Sequence, residues 1–401
     1  MNAAFWQGKN VFVTGHTGFK GTWLCMWLRR LGAEVKGYSD GLPTSPAMHR
    51  LCGLELDIPW LRGDIRDAAR LKAALRQAKP DIVFHLAAQP LVLASYDDPV
   101  GTLAVNVIGT AALLEAVRGL DSVRAVIAVT SDKCYANDER PQGYRESDPL
   151  GGDDPYSASK ACAELVVSAF RQSYYAAGMP GAPALASVRA GNVIGGGDFA
   201  ADRIVPDCVR AAIGRHAPVL RRPEAIRPWQ HVLEPLAGYL ALAEKLYAIG
   251  GDYAAAWNFG PRADDARTAG WLAEALCARL GSPLPAAAAA QGPAAAAGAG
   301  TASAKREAGM LRLDSSKAQS SLGWRPRWDA AQAVAHTADW YLHWMKGAPM
   351  RDLTAVQIAQ YETALQEEPS DGAAQPAEAS AGLAGGSAAV PDDVQAGKGG
   401  T

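Results

Sequence analysis

Residues 11–21 constrain this chain more than any other stretch. They read Val-Phe-Val-Thr-Gly-His-Thr-Gly-Phe-Lys-Gly. The short apolar run suits a buried strand, and Gly15, Gly18 and Gly21 follow at three-residue spacing. Beyond them Trp23, Leu24, Trp27, Leu28 and Leu31 fall on one face of a helix. Strand, glycine turn and helix in that order suit a dinucleotide pyrophosphate. Glycines let the backbone turn sharply and approach the phosphates, and the helix N-terminus offers N–H donors at the positive end of its dipole. A glycine triplet alone is often only a turn; the flanking strand and helix give the cofactor reading its specificity.

The next elements extend the pattern. Residues 34–38 read as a second strand, and Asp40 follows about 20 residues past the glycines, where an acid commonly holds ribose hydroxyls. A plain turn at Ser39-Asp40 is the alternative. No arginine immediately follows that strand to meet a 2′-phosphate, which favours NAD over NADP. An aspartate in Gly63-Asp64-Ile65-Arg66-Asp67 suits the cap of a helix starting near Ala68. Residues 81–88, Asp-Ile-Val-Phe-His-Leu-Ala-Ala, are apolar enough for a central parallel strand. Ala87 and Ala88 are small enough to lie against a flat cofactor or to pack tightly on a helix.

Residues 123–130 form the fifth strand and lead into Ser131-Asp132-Lys133-Cys134-Tyr135. Polar groups at the C-terminal end of a parallel strand are where open α/β sheets carry their chemistry, although an Asp-Lys pair alone is often a solvated turn. Tyr156 and Lys160 are four apart and share a helical face. A free tyrosine titrates near ~10, and a neighbouring ammonium favours its phenolate. Downstream of a dinucleotide fold, that pair points to hydride chemistry at an alcohol carbon. Another strand spans 184–193, and the glycines of 191–197 suggest a close approach to substrate. In Arg227-Pro-Trp-Gln-His231 the arginine's planar fork suits a diphosphate, and His231 reads as structural.

Bulk properties set the limits. The chain has 401 residues, 49% of them hydrophobic, and a net charge of −2. A sizeable core is possible, and a general nucleic-acid binder is not expected. Six scattered cysteines without a Cys-x-x-Cys pair indicate neither a disulfide framework nor a zinc site. The first ten residues lack the basic and apolar segments of a secretion signal, and no uninterrupted apolar run has membrane-spanning length. The expected compartment is the cytoplasm. Residues 283–304 are a low-complexity insertion of Ala, Gly, Pro and Ser, and 367–401 read as a disordered tail.

These runs, with Leu86-Ala-Ala-Gln-Pro-Leu-Val92 and Arg189-Ala-Gly-Asn-Val-Ile-Gly-Gly-Gly-Asp198, resemble the extended short-chain dehydrogenase/reductases over residues 5–360, outside the insertion. Within that family the Ser-Asp-Lys-Cys-Tyr and Arg-Pro-Trp-Gln-His runs resemble the CDP-glucose 4,6-dehydratase group; dTDP-glucose dehydratases carry Thr-Asp-Glu instead. The resemblance implies an α/β fold with a doubly wound parallel Rossmann sheet and a smaller C-terminal substrate-binding region. Residues 1–184 would bind NAD, and 185–348 would return strands to the sheet and form the nucleotide-sugar lobe. It implies Gly15, His16, Thr17, Gly18, Phe19 and Gly21 at the cofactor pyrophosphate, Asp64 and Ile65 at adenine, and Leu86, Ala87, Ala88 and Gln89 beside the cofactor. Asn192 and Arg227 would anchor the substrate diphosphate, with His231 near them.

The implied reaction converts CDP-glucose to its 4-keto-6-deoxy product. Tyr156 takes the C4 hydroxyl proton, Lys160 lowers the tyrosine pKa and Ser131 hydrogen-bonds the C4 oxygen. Lys133 removes the C5 proton, Asp132 protonates the leaving C6 hydroxyl, and hydride borrowed from C4 returns to C6. Family members are usually homo-oligomers, here a dimer or tetramer. The rival readings are a nucleotide-sugar C4 epimerase and a non-catalytic NAD-binding scaffold.

Overall fold

The computed structural model describes residues 2–176, 179, 181–284 and 309–367. The alanine-rich stretch, apart from residues 283 and 284, and the tail beyond 367 lie outside the described residues.

Seven parallel strands make one sheet in the order β10-β6-β5-β4-β1-β2-β3. In chain order these are β1 (Asn10–Thr14), β2 (Glu34–Ser39), β3 (Trp60–Arg62), β4 (Ile82–His85), β5 (Ala125–Val129), β6 (Ala184–Arg189) and β10 (Ala256–Asn258). Between the last two lie β7 (Val193–Ile194), β8 (Ile226–Arg227) and β9 (Gln230–His231), and β11 (Arg267–Thr268) follows; these four make two small ribbons. The order reverses between β1 and β4, which opens a crevice at their C-terminal ends.

Side-chain alternation explains why the strands read as continuous apolar runs. Val11 and Val13 face one core with Ile82, Phe84 and Ile127, while Phe12 faces the other with Val83 and Val126. Both faces are covered by helices, so β4 is buried throughout and β1 from Val11 to Thr14. The expected central strand is the middle one of the seven, and Asp67 caps the helix Ala68–Ala78 by accepting from Arg70 N at 3.0 Å.

One expected strand is divided. The run through 184–193 stops at Arg189 and resumes as β7, because Asn192 takes a left-handed conformation with φ of 48°. The break turns residues 190–192 into the crevice. The helical stretch Pro99–Val117 is long and apolar enough to cross a membrane, but Leu113, Leu114, Ala116 and Val117 are buried in the second core.

Candidate active site

A cavity of about 1150 Å³ lies along the C-terminal ends of the strands. It is lined in turn by Gly15 after β1, Asp40 after β2, Asp64 and Ile65 after β3, and Leu86, Ala87 and Ala88 after β4. Thr130 to Lys133 follow β5, and Ala190 to Asn192 follow β6.

The glycine turn is built for close approach. Gly15 has φ of 68°, and a Cβ there would sit 2.7 Å from Ala87 N. A Cβ on Gly21 would sit 2.2 Å from Gly15 O. The turn ends at Gly18, which begins the helix Phe19–Arg30 without a side-chain cap. Its first N–H groups face the cavity end of the turn, where they suit an anion. Thr17 pins the next loop by donating to Gly41 O at 2.7 Å. Thr14 and His85 hold the mouth of the crevice: Thr14 Oγ1 lies 2.8 Å from His85 Nδ1 and accepts from Leu86 N and Ala87 N at 3.2 Å each.

The catalytic candidates meet across the cavity. Asp154 caps the helix Pro155–Ser173 by accepting from Ser157 N, and Pro155 occupies the first turn. That helix carries Tyr156 and Lys160, 7% and 5% exposed. Opposite them, Ser131 Oγ accepts from Lys133 N at 3.2 Å and donates to Asp132 Oδ1 at 2.9 Å. Ser131 also acts on Tyr156, drawing its pKa down against the effect of burial. Asn192 Nδ2 reaches Asp132 Oδ2 at 3.4 Å, and Arg227 lines the far end, donating to Ile226 O and Gly309 O.

Three expectations need correction. Gln89 does not line the cavity, because its side chain fastens its own loop: it donates to Leu91 O and Thr102 Oγ1 and accepts from Leu91 N. The His16 ring points into the protein under Gly37, edge-on to His49 and Trp60, and burial lowers its pKa to about 3. His231 is fully buried among Trp23, Trp328 and His336, so it belongs to the core, as its structural reading holds, and not among the substrate contacts. Burial raises Tyr156 to about 12, with Ser131 opposing the rise, and lowers Lys160 to about 8.

Sequence reasoning missed two cations in the cavity. Lys20 is half-buried, and desolvation with the charges of Arg203 and Lys160 lowers it to about 8. Arg203 pairs with Asp198 at 2.7 Å and helps draw Tyr156 down. Lys20 was legible as the one charge inside the glycine turn; Arg203 had no comparable signal. Arg62 was missed too: it lies opposite Ser39 in the sheet, outside the cavity lining, and its Nε donates to Asp40 O at 3.0 Å.

A family profile described as GDP-mannose 4,6-dehydratase matches residues 12–263. The chain is 46% identical to a CDP-glucose 4,6-dehydratase of Salmonella typhimurium, over 90% of this chain and 98% of that protein. It is 28% identical to a dTDP-glucose 4,6-dehydratase of Xanthomonas campestris, over 84% and 94%. Its fold is similar to a dTDP-glucose 4,6-dehydratase of Streptomyces venezuelae solved with NAD, with a TM-score of 0.69 at 24% identity, covering 85% of this chain and 99% of the other.

Proposed function

The chain belongs to the GDP-mannose 4,6-dehydratase family of the extended short-chain dehydrogenase/reductases, and from that premise we propose that it is a hydro-lyase converting CDP-D-glucose to CDP-4-keto-6-deoxy-D-glucose with bound NAD, in deoxysugar biosynthesis. The observation that carries the reading is the Ser131-Asp132-Lys133 turn in the same cavity as Tyr156 and Lys160. Dehydration needs a second acid–base pair; C4 epimerisation does not. The nearly full-length likeness to the Salmonella enzyme supports the cytidine nucleotide.

The residues present fit NAD. A Cβ at position 15 or 21 would strike Ala87 N or the Gly15 carbonyl and force apart the tight turn on which a pyrophosphate would lie, and Gly15, Thr17, Gly18 and Phe19 would hold that group. Asp40 would take the adenosine ribose, Asp64 and Ile65 the adenine, and Leu86 to Ala88 the flat wall. Because Arg62 lies outside the cavity lining, ribose hydroxyls suit Asp40 better than a 2′-phosphate. NAD, when bound, supplies a reversible hydride acceptor.

The chain's own groups move the protons. Tyr156 takes the C4 hydroxyl proton, and Ser131 hydrogen-bonds that oxygen. Lys160 orients the nicotinamide ribose. The C4 ketone acidifies C5–H, Lys133 takes that proton and later returns it, and Asp132 protonates the leaving C6 hydroxyl. Ser131 donates to the Asp132 carboxylate and draws the Tyr156 pKa down, so one hydroxyl acts on both the C4 base and the C6 acid. Asn192 and Arg227 would hold the diphosphate.

Incubating the purified protein with CDP-, dTDP-, UDP- and GDP-linked sugars tests this. A 4-keto-6-deoxy product from CDP-glucose is expected; a C4-epimerised sugar, or preference for another nucleotide, overturns it.

The family's oligomeric habit has a candidate surface. Val100, Leu103 and Ile108 are exposed, as is Leu165 of the helix Pro155–Ser173, and these helical stretches pack against each other. Exposed apolar side chains on two packed helices suit a second copy of the chain. Leu165→Arg should lower the mass seen in sedimentation; an unchanged mass counts against that surface. The scattered cysteines, without a Cys-x-x-Cys pair, suit a reducing compartment, the cytoplasm.

A further inference from the structure

Behind the catalytic wall lies a buried polar network that the reaction above does not use. Glu164 is one helical turn beyond Lys160 and 3% exposed. It accepts from Thr130 Oγ1 at 2.5 Å, Ser187 Oγ at 2.7 Å, Arg189 Nε at 2.9 Å and Arg189 Nη2 at 2.8 Å. Arg189 Nη1 donates to the Tyr135 hydroxyl at 2.7 Å, which donates to Asn258 Oδ1 at 2.8 Å. Thr130 and Tyr135 bracket the turn that carries Ser131, Asp132 and Lys133. A buried ion pair is weak evidence for stability, since apolar groups of the same volume often serve as well. This one joins the two halves of the catalytic group.

We propose that Glu164 is a positioning residue for the reaction: one helical turn from Lys160, its carboxylate is the buried counter-charge on that helix and, through Arg189 and Tyr135, locks the Tyr156 helix to the Ser131–Lys133 turn. The proposal rests on the dehydratase reading. Burial lowers Lys160, and the negative charge of Glu164 is the largest influence opposing it, followed by the Cys134 thiol. From other elements, Lys20 of the helix Phe19–Arg30 and His85 of β4 feel the Lys160 charge. Tyr156 faces it from its own helix. Glu164 in turn faces Arg189 of β6, Arg171 of its own helix and Cys134. Lys160 therefore sits near a like charge at Lys20, with Glu164 as its buried counter-charge.

The test follows the Lys160 titration by NMR of lysine labelled at Cε, in the protein with its cofactor, with the signal assigned by its loss in Lys160→Met. Glu164→Gln combined with Arg189→Met removes both charges of the pair and leaves neither buried alone. Its Lys160 midpoint should fall by about one pH unit or more, the size of a nearby opposite charge. The alkaline limb of CDP-glucose turnover should move with it. An unmoved midpoint in the folded double variant overturns the proposal. If the double variant does not fold, Glu164→Asp must keep the midpoint that Glu164→Gln lowers; equal midpoints overturn the proposal equally. Failure of the wild-type protein to turn over CDP-glucose would sink the dehydratase reading, while the NMR midpoint still judges Glu164.

Discussion

Burial raises the Tyr156 hydroxyl to about 12, and Ser131, which donates to Asp132, draws it back down. Lys133, half-buried on the same turn, is the group proposed as the C5 base. Lys133→Ala should lower 4-keto-6-deoxy product formation by roughly 10²–10⁴-fold, the usual worth of a general base. In D₂O the sugar should then also fail to gain deuterium at C5. Product at near wild-type rate would mean that water or another group takes the proton. The structure separates such groups from residues of similar appearance: Gln89 follows Ala88 directly, yet its amide holds its own loop together.

Among the elements, the turn between β1 and the helix Phe19–Arg30 has the least freedom. Gly21 lies inside that helix, and the constraint on it is packing, since its would-be Cβ meets the Gly15 carbonyl at 2.2 Å. Gly21→Ala must push the helix N-terminus off the turn, which moves the N–H groups that face an anion. Calorimetric titration with NAD should show affinity weakened by about tenfold or more, roughly 1.4 kcal/mol. Unchanged affinity at unchanged melting temperature would show that the turn accommodates the methyl group. The division of the expected 184–193 strand belongs to this scale too: Asn192 in a left-handed conformation ends the ladder and brings residues 190–192 to the cavity.

Across the whole molecule, the last described helices are tied to the sheet layer through one buried acid. Glu234 of the helix Leu233–Ala248 accepts from Trp328 N at 2.7 Å, Arg327 N at 3.1 Å and the Tyr361 hydroxyl at 2.6 Å. Burial raises its pKa to about 7. Between the ordinary glutamate value and about 7, the folded state holds a proton that the unfolded state has released, so this contribution to stability falls as pH rises through that window. The loss is roughly 3 kcal/mol between pH 5 and 8. Glu234→Gln removes the titration, so the difference in urea stability between variant and wild type should shift in the variant's favour across that window. A difference independent of pH would show that Glu234 does not titrate there. Such couplings also mark the limit of what the chain order reveals. The strand sequence, the glycine cradle and the Tyr156–Lys160 pair were legible because they depend on local spacing and on alternation, which a linear sequence carries directly. The orientation of His16 and His231, the arrival of Arg203 near Tyr156 and of Lys20 near Lys160, and the charge balance at Lys160 were decided by tertiary structure. Burial and the neighbours that oppose it come from contacts distant in the chain, and they exist only once the sheet has closed.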